Sequence, residues 1–554
     1  MSVVIHKLSF YIPSFSYGTI MGALVLTPIV LPLLRTVEYM LRAYFSPARI
    51  VPGPSGGNLF FGHLGFIRDS PKGEWHEEVL KEHGHVLRYK AILGTDRLLT
   101  TDPKALNHVL ANSMIYQRPG PIRYALDQLV GEGLLVAEGH THKRQRRVMN
   151  PSFSSAHIKE MTEIFLEKAQ ELREVLLTQT LTSETSPSVR VDMLAYLTQA
   201  TLDIIGLAGF NYSFNVLSNE QSELSKAFNA VLHPPRDFPV IQILKLQIPI
   251  FRYLLIFDQG SRDTREARRK MYTIGRELVQ RKKAEVLEAK AAGDDAMRKS
   301  KDLLSLLIRS NMSQSGGGLS DDEVLHQIPT FLLAGHETTS TSTTWTLFSL
   351  ATHPDVQRRL RSELLLVPTD TPTMGELDSL VYLDAVVRES LRHHSVVDGT
   401  IKVATTDDVV PLEKPFVGTD GKTRNAIKVS KGDSFFVPIL MMNVIEPIWG
   451  PDGREFNPDR WLGEGPPKAS QSLPSVWGGQ MTFSAGPRSC IGFKFALIEM
   501  KALLFTLIRG FQFELAVAPE EVIRRSAAVT RPVIKSEIDK GGQMPMIIRP
   551  FSHT

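Results

Sequence analysis

The residue with the most chemistry open to it is Cys490, the single cysteine among 554 residues. It stands in Phe483-Ser-Ala-Gly486-Pro-Arg488-Ser-Cys490-Ile-Gly492. One thiol cannot close an internal disulfide. Nor can it build a zinc or iron–sulfur site, which needs several protein ligands. Alone, a cysteine can give its thiolate to a haem iron and leave the opposite face open. The plainer alternative is a buried apolar cysteine. The neighbours argue for the ligand. Gly486 and Gly492 let backbone approach a flat macrocycle, nearby N–H groups can stabilise the sulfur's charge, and the Arg488 guanidinium matches a propionate carboxylate.

A second group is Ala334-Gly335-His336-Glu337-Thr338-Thr339. Glycine inside a helix costs about 1 kcal/mol against alanine, so Gly335 points to a groove where a small molecule such as oxygen rests on backbone. Glu337 and Thr338 set an acid beside an alcohol, the parts of a proton relay to bound dioxygen. The alternative is a surface acid and a hydroxyl bonded back to the carbonyl one turn earlier. Glu389 and Arg392, three apart, share a helical face and can pair. Glu266 with Arg269 and Glu521 with Arg524 repeat that spacing and read as solvated surface pairs.

The cysteine loop, the Gly-x-Glu-Thr-Thr run and the Glu-x-x-Arg pair occur in one order over roughly residues 50–535. This pattern resembles the cytochrome P-450 monooxygenases, in their fungal membrane-bound form. The resemblance implies haem b with Cys490 as axial thiolate and Phe483, Gly486, Arg488 and Gly492 shaping its loop. It gives Glu337 and Thr338 proton delivery, with Gly335 at the oxygen groove. It places Glu389, 101 residues before Cys490, in a buried charge network with Arg392 and with Arg460 of Phe456-Asn-Pro458-Asp-Arg460. That network supports the fold and does no catalysis.

Two departures follow. In Gly139-His-Thr-His142-Lys-Arg-Gln-Arg146-Arg147 the family usually has a Trp and an Arg four residues apart on the haem propionates. This chain keeps Arg146 but carries His142 at the Trp position, which makes protonation a new variable. Lys143, Arg144 and Arg147 read as a solvent face towards an acidic redox partner. After Arg392 the family often has prolines and then a propionate-binding basic residue. Here the chain reads His393-His394-Ser395-Val396-Val397 and later Lys402. Adjacent helical histidines point apart, so packing is preferred to metal binding, and Val396 and Val397 are expected to line the pocket above the haem.

The activity implied is insertion of one oxygen atom from O2 into a lipophilic substrate. No flavin or nicotinamide segment is evident, so electrons from NADPH must arrive through a membrane-bound flavoprotein reductase. A haem-thiolate isomerase or dehydratase, and a haem sensor, are alternatives; neither needs the Glu337–Thr338 relay. Terpenoids and other fungal secondary metabolites come first as substrates, with sterols, fatty acids and aromatic xenobiotics open.

These residues need a scaffold and an address. No charged residue lies between Lys7 and Arg35, and Ile20 to Leu34 is almost wholly apolar. Such a run can enter a hydrocarbon core about 30 Å thick; a cleaved signal peptide is the alternative. Arg35, Arg42 and Arg49 follow, which puts the remainder in the cytosol. The expectation is an anchor and flank at 1–49, single-pass in the endoplasmic reticulum membrane. Val51-Pro52-Gly53-Pro54 is a stiff exit, and 50–554 form one catalytic domain. Basic and acidic residues number 63 and 59, so a nucleic-acid role has no support.

Within that domain, 86–101 suggests a small sheet, and Ile158–Leu177 and Arg262–Ala291 suggest helices. Ser320-Asp-Asp-Glu323 is a capping box for a long helix to about Thr352. Ala291–Lys301 and Ser313–Leu319 read as loops, Thr400–Val429 as strands, Gly450–Gly479 as irregular, and Ile491–Ile508 as a helix. Leu232–Phe257 is apolar enough to roof a substrate channel. The fold class is mainly α with a small β region: a cytochrome P-450 fold behind an N-terminal transmembrane helix.

Overall fold

The computed structural model describes residues 44–551 except 59, 71–73, 182–187, 219–258, 293–301, 313–317 and 527–528, with a few positions between 30 and 42. Among these residues the principal helices are α1 Glu74–His83, α2 Pro103–Ala111, α3 Gly120–Val130, α4 Gly139–Met149, α5 Ser155–Leu181 and α6 Met193–Phe210. They continue as α7 Gln259–Ala292, α8 Leu303–Met312, α9 Gln327–Thr352, α10 Pro354–Leu365, α11 Val381–His393 and α12 Phe493–Gly510.

The long helix expected from Ser320 is interrupted. The capping box forms, with the Glu323 N–H donating to Ser320 Oγ at 3.2 Å and the Ser320 N–H to Glu323 Oε2 at 3.0 Å. It opens only a short turn, Asp321–Leu325, and α9 begins beyond His326. Pro329 explains the break, since it has no N–H to donate to the carbonyl of Leu325. From there α9 runs through the core to the expected end at Thr352.

β1 Val86–Lys90 and β2 Asp96–Thr100 pair antiparallel, Val86 opposite Thr100. They belong to a five-stranded sheet ordered β1-β2-β8-β5-β3, with β3 Tyr116–Gln117, β5 Thr400–Ala404 and β8 Ser434–Val437. A three-stranded sheet joins β4 Val189–Asp192, β12 Pro545–Pro550 and β9 Phe511–Leu515. Two hairpins, β6 Asp408–Val417 with β7 Thr423–Val429 and β10 Val522–Ser526 with β11 Thr530–Ile534, complete the β structure. The five-stranded sheet packs a cluster of its own beside the helical core, whereas Phe511, Phe513, Met546 and Ile548 of the three-stranded sheet are buried within that core.

α6 is long and apolar enough, by length and composition, to cross a membrane. Its side chains say otherwise: Leu197, Ala200, Ile204 and Ala208 are fully buried and α6 packs along α9. The apolar N-terminal run lies largely outside the described residues; within it Val30 and Leu34 are helical and exposed. Leu232–Phe257 lies wholly outside them.

One surface expectation is overturned. Arg524 is buried and reaches Asp398 at 3.0 Å and the Ser395 carbonyl at 2.9 Å, while its guanidinium lies 5.2 Å from the Trp345 ring. Its spacing from Glu521 carries no pairing, because a strand places them on a different course from a helix. Glu266 is exposed, and pairs with Lys270 at 3.5 Å.

Candidate active site

The cysteine loop is shaped from within. Gly486 has φ +67°, and a Cβ there would come 2.5 Å from the Leu110 carbonyl oxygen at the end of α2. Its glycine is therefore demanded by the left-handed backbone and by α2 rather than by a macrocycle. A Cβ at Gly492 would meet Phe153 at an ordinary 3.6 Å. The Cys490 N–H donates to the Phe483 carbonyl at 2.9 Å, which closes the loop. Phe483 packs edge-on against Trp477 and tilted against Phe493, with centroids 5.7 and 6.0 Å away.

Cys490 itself is exposed, yet burial pushes its thiol up. The Gly492 N–H and the Arg146 charge act in the opposite direction and favour the thiolate.

α9 has a window of its own. It is buried along most of its length, but Ala334 is exposed and Gly335 and Thr338 are half-exposed. A Cβ at Gly335 would press on Ile205 of α6 at 2.9 Å, so close helix packing accounts for this glycine. The Thr338 hydroxyl donates to the Ala334 carbonyl at 2.6 Å, the back-bond weighed from sequence. Glu337 is not a surface acid. It is 4% exposed, accepts from Arg531 Nε at 2.5 Å, and lies 3.9 Å from His336 Nε2. Arg531, on β11 and 194 residues further along, carries no sequence signal that ties it to this motif.

Around α4 the positive charges gather. Arg146 donates to the Ser489 carbonyl and to Ser489 Oγ, next to the cysteine. Arg488 donates to the Ala137 and Leu134 carbonyls and pairs with Glu138; both side chains are nearly buried. The Arg118 N–H donates to Glu138 Oε1 at 3.1 Å, and its guanidinium to the Leu135 carbonyl. Burial first, then Arg488, Arg146, Lys402 and Arg118, push His142 down to about 3. Burial, Arg118 and Arg488 push the buried Lys402 down to about 8. Lys143 and Arg147 are exposed, and Arg144 is half-buried and bonded to Glu323.

Glu389, Arg392 and Arg460 are brought together. Glu389 and Arg392 are both 0% exposed and form two hydrogen bonds, at 2.7 and 2.8 Å. Arg460 Nε lies 3.6 Å from the same carboxylate, and the Trp461 Nε1–H donates to it at 2.9 Å. Burial would raise the Glu389 pKa, but Arg392's hydrogen bonds and charge hold it below the usual carboxylate range. Arg392 also donates to the Asn443 and Glu455 carbonyls, so its fork is fully used.

A model of the cytochrome P-450 family matches residues 51–535. Cytochrome P-450 monooxygenase 205 of Postia placenta is 46% identical over 94% of this chain and 96% of its own length. Monooxygenase 128 of the same fungus is 42% identical over 92% and 94%. Monooxygenase claQ of Ampulloclitocybe clavipes is 33% identical over 90% and 92%. The chain belongs to the cytochrome P-450 family.

A cytochrome P-450 carries a haem on a cysteine thiolate, and the residues described here fit one. An exposed cysteine in a desolvated loop, a window in a buried helix, and cations that outnumber their acidic partner Glu138 among the described residues are what an iron, a flat ring and two propionates require. Of the cations, Arg488 is already engaged by Glu138, so Arg118, Arg146 and Lys402 carry the uncompensated charge. The adjacent histidines do not point apart as expected: α11 ends at His393, and His393 Nδ1 lies 3.1 Å from His394 Nε2, while His394 stacks on Trp345, centroids 4.8 Å apart, and His393 Nε2 lies 2.7 Å from the Arg454 carbonyl. Among the described residues no group of three or more His, Cys, Asp or Glu could hold a metal ion. Val396 is buried and Val397 half-buried beside this pair.

Proposed function

We propose that this cytochrome P-450 monooxygenase hydroxylates a lipophilic secondary metabolite, terpenoids being the first class. What carries the reading is the exposed Cys490 in its loop together with the uncovered Ala334, Gly335 and Thr338 on the otherwise buried α9.

When bound, haem supplies the one-electron and oxygen chemistry at its iron. Cys490 holds the iron, with the Gly492 N–H and Arg146 sharing the sulfur's charge. Arg118, Arg146 and Lys402 hold the propionates. His142, kept neutral by its cationic neighbours, donates a hydrogen bond there without adding charge. Arg531 is a quarter exposed and leads from the surface to Glu337. Paired with Arg531, Glu337 is a carboxylate; once it leaves that partner it can take a proton from solvent and give it to the Thr338 oxygen, while Thr338 releases its own hydroxyl proton on the side away from the Ala334 carbonyl. An isomerase would leave this relay idle, which is why the monooxygenase reading is preferred to it.

Electrons come from NADPH through a membrane-bound flavoprotein reductase, for which the exposed Lys143 and Arg147 offer a basic contact. Residues 1–49 anchor the catalytic domain, 50–554, on the cytosolic side of the endoplasmic reticulum membrane.

The test is an absorbance titration of the ferric protein with sesquiterpenes, diterpenes, sterols, fatty acids and aromatics. A saturable low-spin to high-spin shift with terpenes alone, followed by NADPH- and O2-dependent hydroxylation of that ligand, is the expected result. A shift confined to another class overturns the substrate assignment, and product formed without O2 overturns the monooxygenase assignment.

A further inference from the structure

Glu499 lies nine residues after Cys490 on α12 and is 0% exposed. Its environment is unlike that of the other buried carboxylates. Neither of its oxygens has a well-aligned hydrogen bond among the described residues, and no cation acts on it. What lies within reach is the Thr339 hydroxyl of α9. Thr339 is distinctive in its own run. Thr338, Thr343, Thr344 and Thr346 all donate back to the carbonyl one turn earlier, whereas the Thr339 hydroxyl lies beside the otherwise unpartnered Glu499 carboxyl, where α12 packs on α9.

We propose that Glu499 is a positioning residue: its carboxyl clamps α12, which begins just after the cysteine, onto Thr339 of the Ala334–Thr339 run. The clamp fixes the spacing between the sulfur side and the oxygen side of the haem site. This rests on the reading of Cys490 as the haem ligand. α12 starts three residues after Cys490, so a slide of α12 along α9 moves the sulfur relative to Thr338. On its other flank α12 is already held by α5, where Phe495 meets Phe165 with centroids 4.7 Å apart. The face towards α9 is the one that needs a directional contact, and apolar packing there would set distance but not register. Burial pushes the Glu499 carboxyl well above the usual carboxylate range, with the Thr339 hydroxyl acting against that rise. A neutral acid can both donate to and accept from a hydroxyl, which suits a clamp.

The alternative is an acid that merely fills space, and then an apolar replacement is harmless or stabilising. Full-length holoprotein carrying Glu499→Gln, Glu499→Leu, Thr339→Val or the Leu–Val double change is reduced under carbon monoxide, and the thiolate-ligated fraction is read from the haem band. Glu499→Leu and Thr339→Val are each expected to raise the fraction lacking the thiolate band about tenfold. The double variant should go no further than either single, because both break one contact. Glu499→Gln, which keeps a donor and an acceptor, should match the parent. Parent-like spectra in the Leu and Val variants, or additive losses in the double, overturn the clamp. Where Glu499→Leu does not fold, Thr339→Val decides alone. A parent protein without a thiolate band overturns the Cys490 reading itself, and the clamp with it.

Discussion

The network around Glu389 and the cluster around His142 are both buried collections of charge, and only one of them closes on itself. Glu389 faces Arg392 and Arg460, Arg460 goes on to Asp452 at 2.6 Å, and the remaining donors of Arg392 end on backbone carbonyls. Around His142 stand Arg118, Arg146, Arg488 and Lys402, and among the described residues the acid paired into this group is Glu138 on Arg488. A closed network needs nothing further and serves the fold. An open one, which adds to burial in holding an imidazole at about 3 and a lysine at about 8, is unfavourable until anions enter it. The difference separates scaffold from binding site without reference to position in the chain.

The comparison breaks most readily at Glu389. Glu389→Ala leaves the Arg392 guanidinium buried and unpaired, and should lower stability by about 3–5 kcal/mol in denaturant titration. A loss below about 1 kcal/mol, the scale of an ordinary substitution, would mean the network is not the closed structural unit its geometry describes. On the other side, Lys402→Met removes a cation from a cluster that has too many. Stability of the haem-free protein should stay within about 1 kcal/mol of the parent. Haem should pass to a scavenging globin about tenfold faster, the effect of losing 1.4 kcal/mol of binding. Equal haem retention would show that Lys402 does not face the ligand.

Much of this contrast was legible before the structure. The order of Cys490, Glu337–Thr338 and Glu389–Arg392 along the chain gave the family, and local periodicity gave α5, α7 and α12 to within a few residues, together with the end of α9 but not its start. What sequence could not reach were partners far apart in the chain. Arg531 on Glu337, Glu138 on Arg488 and Thr339 beside Glu499 are joined by tertiary packing, and no spacing rule encodes them. Gly335 and Gly486 show the same limit from another side. Both glycines were noticed, but the neighbour each one accommodates, Ile205 or the Leu110 carbonyl, lies on a different helix. Arg524 was misread because its i, i+3 spacing from Glu521 has meaning on a helix and none on β10.

The smallest effect sharpens the comparison furthest, because it reads the open cluster's electrostatics directly. Burial and four neighbouring cations lower His142 from the ordinary histidine value to about 3. The unfolded chain takes up that proton near pH 6.5, so the stability tied to a neutral His142 is complete above that pH. It drains away as the pH falls towards about 3. His76 and His393, each lowered to about 4 chiefly by burial, contribute the same acid sensitivity and remain when His142 is replaced. In haem-free protein, His142→Phe should therefore lose less Tm between pH 7 and 5 than the parent, by on the order of 1–2 °C. With haem bound, propionates beside His142 raise its pKa towards the ordinary value, and the variant and parent curves should converge. A difference that persists unchanged in the loaded protein would mean that the anions of the ligand do not sit among these cations.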